Sequence, residues 1–89
     1  MMRALRRAAP GKPYVIAFHL GEQLLAALPD GWGLVADVDG RYARPANVAE
    51  LEDARRTAGA STGAPYVLAG WSAGCQRVRE LLRVGAKPA

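Results

Sequence analysis

Cysteine and histidine are nearly missing: 89 residues hold one of each, Cys75 and His19. A single cysteine excludes an internal disulfide and fits a reducing compartment, so a cytoplasmic location is expected. One cysteine and one histidine cannot make a structural zinc site, and no metal is expected. Asp37 and Asp39 open like a calcium loop, but the ligand positions that should follow are not filled; the pair reads as a strand end and its turn. The phosphate loop G-x-x-x-x-G-K-[ST] does not occur, and no G-x-G-x-x-G follows an apolar run, since Gly31-Trp32-Gly33 precedes one. No cofactor is implied.

Long apolar runs are also missing. None approaches the roughly 20 residues of a membrane-spanning helix. The start, MMRALRRAAPGK, is basic but has no apolar stretch of a secretory signal behind it. These twelve residues contain no acid. Arg3, Arg6, Arg7 and Lys12 carry the whole formal excess of +4, and the remaining residues balance eight basic against eight acidic side chains. A neutral body argues against a nucleic-acid face on it. Residues 1–12 are expected to be a basic arm, with at most a helical turn from Arg3 to Ala9 that Pro10-Gly11 ends. Residues 13–89 make a single domain.

What is present is an alternation of apolar runs and helical patterns. Pro13 to His19 reads as the first strand, and Tyr14 to Phe18 within it is continuously apolar, as in a strand covered on both faces. A short helix, Glu22 to Leu28, follows, and Pro29-Asp30-Gly31 closes it. Trp32 to Val38 reads as a second strand. Asn47 caps a helix, with Glu50 three residues on in capping-box position. Tyr66 to Ala69 leads the third strand. The last helix shows an apolar stripe at Cys75, Val78, Leu81 and Leu82, with Arg77, Glu80 and Arg83 turned away, and Gly85 stops it. The β-α-β-α-β-α order predicts an α/β fold: a three-stranded parallel sheet flanked by helices on both faces.

The most informative stretch is Gly70-Trp71-Ser72-Ala73-Gly74, between the third strand and the last helix. Strand, G-x-S-x-G, helix is the pattern of a nucleophile elbow, a sharp turn that raises a serine hydroxyl at the end of a sheet. Gly70 and Gly74 remove side chains where strand and helix nearly touch. The Ala73 N–H at the helix start is placed to meet a developing oxyanion. The plainer reading of Ser72 is a helix cap. Trp71 is a pocket wall or a core residue. Cys75 is expected to pack under the sheet as a small apolar side chain.

With these residues in view the chain resembles the α/β-hydrolase superfamily from about Pro13 to Gly85. An apolar strand ends in His19, a second ends in Asp37-x-x-Gly40, and the third ends in G-x-S-x-G at Gly70 to Gly74. The resemblance implies a partial three-layer hydrolase core with the first strand between the other two, and the work of a serine esterase or lipase on a small ester or acyl substrate. Ser72 would be the nucleophile, and Ala73 with Leu20 or Gly21 would supply oxyanion N–H groups. His19 would shape the oxyanion loop, with a general-base role as the alternative. Leu20 stands where the family has glycine. The family's acid and base histidine follow the elbow, whereas here only Glu80 follows it as a carboxylate side chain and His19 precedes it. The missing partners point to a fragment, a complementing chain, or a non-catalytic binding or structural protein that forms homo-oligomers through its sheet edges. A nucleotide-binding α/β domain, holding phosphate at Gly70 to Gly74, is a third reading.

Overall fold

The computed structural model describes residues 2–37 and 45–89. The elements in chain order are β1 (Met2–Arg6), β2 (Tyr14–Phe18), a 3₁₀-helix (Glu22–Ala27), β3 (Gly33–Asp37), α1 (Ala49–Ala58), β4 (Tyr66–Gly70) and α2 (Ala73–Arg83). The four strands form one sheet in the order β1-β3-β2-β4. β2 pairs in parallel with β3 on one side and β4 on the other, in register from Tyr14 to Phe18. β1 pairs with β3 antiparallel.

The expected three-stranded parallel sheet is therefore corrected to a four-stranded mixed one. The fourth strand comes from the basic N-terminal segment, which is extended where a helical turn was expected. β1 gains a ladder on β3 with Met2 opposite Asp37 and Ala4 opposite Val35, and an irregularity between Ala4 and Arg6. Met2 and Ala4 lean on one core cluster, Leu5 on the other. The guanidinium of Arg6 donates to the carbonyls of Trp32 (2.7 Å) and Pro29, so its charge ends on the chain's own oxygens. Ala8 N–H donates to Ala58 O at 2.8 Å and Ala9 N–H to Gly31 O at 2.8 Å. Pairing along a sheet edge satisfies backbone groups that a solvated arm would leave to water, and charged side chains are ordinary on edge strands.

The strands divide two core clusters between the faces. Tyr14, Ile16, Phe18 and Val35 meet Ala54 and Ala58 of α1 and Leu81 of α2. Val15, Ala17 and Leu34 meet Leu20, Leu24, Leu25 and Leu28 around the 3₁₀-helix. The alternation along β2 is that of a strand buried on both sides, and all five of its residues are buried. α1 starts with the reciprocal bonds of a capping box: Asn47 Oδ1 accepts from Ala49 N–H (2.9 Å), and the Glu50 carboxylate accepts from Asn47 N–H (3.0 Å).

α2 keeps Val78 and Leu81 of the expected stripe against the core, but turns the stripe's other two residues out and Arg77 in. Its buried residues are Gly74, Arg77 and Leu81, the i, i+3, i+7 series of one helix face. Cys75 and Leu82 are exposed. Gly74 decides this, because only a residue without Cβ can sit against the sheet at the first turn, and the face that follows from it includes an arginine. Arg77 is fully buried; its Nη2 donates to both Glu50 carboxylate oxygens at 2.7 and 2.6 Å, and its Nη1 to the Glu80 carboxylate at 3.4 Å. Among the described residues no helix is long and apolar enough to cross a membrane.

Candidate functional site

β4 ends at Gly70 and α2 begins at Ala73. The two residues between them carry the turn. Trp71 N–H donates to Phe18 O at 3.0 Å, one step beyond the last β2–β4 pair. Gly74 N–H then donates to Trp71 O at 2.9 Å and Cys75 N–H to Ser72 O at 3.0 Å, so the helix starts with no intervening loop. Ser72 absorbs the reversal at φ 55° and ψ −123°. A side chain there costs on the order of 1–3 kcal/mol, held in place by surrounding contacts.

Those contacts require the two glycines. A Cβ on Gly70 would stand 2.7 Å from the carbonyl carbon and oxygen of Gly74, and a Cβ on Gly74 would overlap the carbonyl oxygen of Phe18. Strand, turn and helix thus touch backbone to backbone. Ser72 is exposed and makes no side-chain cap bond to α2, so the capping reading does not describe it. Ala73 N–H, the first of the helix, has no acceptor among the described residues.

The second expected donor region lies across β2. His19 follows β2 at φ 62° and is exposed. Leu20 is half-buried against the Val15, Ala17 and Leu34 cluster. Gly21 is buried, and its N–H is already engaged, donating to Gln23 Oε1 at 2.9 Å. His19, Leu20, Gln23 and Trp71 line one open cleft of about 270 Å³. Trp71 leaves 69% of its surface exposed. Ser72 follows Trp71 in the chain but does not itself line the cleft.

Other sequence candidates fall elsewhere. Cys75 is exposed, with its thiol turned to Gly70 O at 3.3 Å, and does not pack under the sheet. Asp37 is the buried last residue of β3. Asp39 and Gly40 lie outside the described residues. Among the described residues no three His, Cys, Asp or Glu side chains converge as a metal site would need. Sequence reasoning passed over Gln23, since a glutamine in Glu-Gln-Leu-Leu carries no signal. It also passed over the Arg77–Glu50 pair, which joins residues 27 positions apart.

No protein-family model, curated protein or solved structure matches this chain.

Proposed function

We propose that Ser72 is the nucleophile of a serine acyl hydrolase of the esterase or lipase type, and that these residues supply the nucleophile and oxyanion half of its site. One observation carries the reading: an exposed, uncapped serine at φ 55° and ψ −123°, on a turn that two glycines hold tight against the sheet. A serine that only capped α2 would turn its hydroxyl to the helix and would need no such backbone. In the reaction Ser72 Oγ attacks an ester carbonyl carbon, and the carbonyl oxygen takes up the negative charge beside Ala73 N–H. A serine hydroxyl is a weak nucleophile until a base takes its proton. That base, a histidine oriented by an acid, comes from a complementing chain or from sequence outside these 89 residues. His19 shapes the turn across β2.

The test is labelling of the folded chain with a fluorophosphonate, read by intact mass, with free imidazole as a stand-in for the histidine. Labelling that rises with imidazole and vanishes in Ser72→Ala is expected. A folded chain that stays unlabelled, or a variant that labels equally, overturns the proposal.

A second reading is favoured by the β4 edge. Pro65 O accepts from Tyr14 N–H, and Trp71 N–H donates to Phe18 O. Alternation between these two bonds turns the backbone groups of Leu68 away from β2. Tyr66 O on the same edge already accepts from Ala89 N–H at 2.9 Å, so the open part of the edge is the stretch at Leu68. An open edge invites another strand, and a homo-oligomer through β4 without catalysis would show as a dimer in sedimentation that Leu68→Pro abolishes.

A further inference from the structure

We infer that Gln23 holds the carbonyl or phosphoryl oxygen of a neutral ligand whose apolar group lies along Leu20 and Trp71, a role that the Gly21 N–H cannot take; the inference deepens the hydrolase reading and rests on it for the identity of the ligand as an ester. The second oxyanion donor expected from the sequence, beside the Ala73 N–H, was the Leu20 or Gly21 N–H. Gly21 N–H is occupied by Gln23 Oε1 at 2.9 Å. That bond also fixes the carboxamide. An N–H donor must face the oxygen of the amide, so the Nε2 hydrogens point to the other side. Gln23 is exposed, so these hydrogens are open to solvent and to a ligand. Gln23 lines the same cleft as His19, Leu20 and Trp71.

The cleft thus has one anchored amide donor between a leucine and an exposed indole. Such walls suit a ligand with one strong acceptor and an apolar arm, since apolar surface gains by leaving water while a lone acceptor needs one donor. Side-chain amides serve as oxyanion donors in acyl transfer as well as backbone N–H groups do. The volume of about 270 Å³ admits a short chain or one ring.

The probe is diethyl hexylphosphonate, which has a phosphoryl acceptor and an apolar chain and does not acylate serine. Binding is read from Trp71 emission in a Trp32→Phe, Ser72→Ala background, so it does not depend on a reactive serine. Saturable binding is expected. Gln23→Glu should weaken it by about tenfold or more, because it replaces the donor by an acceptor at equal size. The same variant keeps an oxygen for Gly21 N–H, so a merely structural role for Gln23 would leave the affinity unchanged. No saturable binding, or equal affinity in Gln23→Glu, overturns the inference. Binding by this protein without fluorophosphonate labelling of the wild type would overturn the hydrolase reading and leave the binding role of Gln23 standing. Labelling without phosphonate binding would do the reverse.

Discussion

His19 and Ser72 stand at the ends of the neighbouring strands β2 and β4, and among the described residues they are the two non-glycine positions with positive φ, 62° and 55°. Both turns sit where the Trp71 N–H to Phe18 O bond closes the ladder. At Ser72, with ψ −123°, the backbone is strained and surrounding contacts must hold it there, whereas a positive φ is one that histidine adopts more readily than most side chains.

The strain at Ser72 predicts that the sequence is not optimal for stability. Its φ and ψ are those of the first central position of a type II′ turn, where glycine is favoured. Ser72→Gly should therefore stabilise the chain by about 1 kcal/mol, after the entropy that glycine adds to the unfolded state. For a chain this size the midpoint should rise by about 4–8 °C. Ser72→Ala keeps the strain and should leave the midpoint nearly unchanged. A lower midpoint in Ser72→Gly would mean that the turn is not strained as described.

Gly74→Ala should do the opposite, because its Cβ has no space against Phe18 O. The obstacle is backbone, so α2 must lift from the sheet, at a cost of about 3 kcal/mol or more. Gly63→Ala is the comparison. Gly63 has φ 81° and nothing within 4 Å of a built Cβ, so only the backbone penalty of about 1–2 kcal/mol applies. Urea midpoints of the two variants separate steric from conformational cost, and equal losses would count against the close contact at Gly74.

The three parallel strands and the Ser72 turn were legible because their signals are local. Tyr14 to Phe18 is an uninterrupted apolar run, and Gly70 and Gly74 flank the serine at fixed spacing. β1 was not legible. Its arginines read as a solvated arm until β3 supplies a ladder and the Trp32 and Pro29 carbonyls supply acceptors for Arg6. The face of α2 was misjudged for a related reason. Val78 and Leu81 pack inward as its apolar residues suggest, but the first-turn contact at Gly74 carries Arg77 inward and leaves Cys75 and Leu82 exposed. An arginine is buried only with a partner, and Glu50 is too distant in sequence for spacing to reveal it. At the cleft, Gln23 gained a role only when the fold brought its amide to Gly21.

The Arg77–Glu50 pair ties α2 to the first turn of α1, so its loss should be felt globally. Glu50→Ala leaves a wholly buried guanidinium without its main carboxylate, a change worth about 3–5 kcal/mol. Replacing both partners, Arg77→Met with Glu50→Leu, should recover most of that loss, since a packed apolar pair avoids the desolvation of two charges. A double-mutant cycle from urea unfolding measures the coupling. A double variant no more stable than Glu50→Ala would show that the site does not accept apolar packing.

Tyr14 gives a prediction in pH. It is buried between the sheet and α1, 3% exposed, beside Tyr66 at 5.8 Å between ring centroids. Burial first, then the neighbouring Tyr66, raises its pKa above the ordinary 10.0. The neutral phenol is the form the fold accepts. Below 10.0 both folded and unfolded chains carry it protonated, and ionisation takes nothing from stability. Above 10.0 the unfolded chain releases the proton first, so stability falls as pH rises towards the folded pKa. Tyr14→Phe has no proton to lose. Its unfolding free energy, compared with wild type from neutral pH to beyond 10.0, should therefore gain on the wild type only in the alkaline range. A difference between the two proteins that does not change with pH would show that the phenol is free to ionise where it stands.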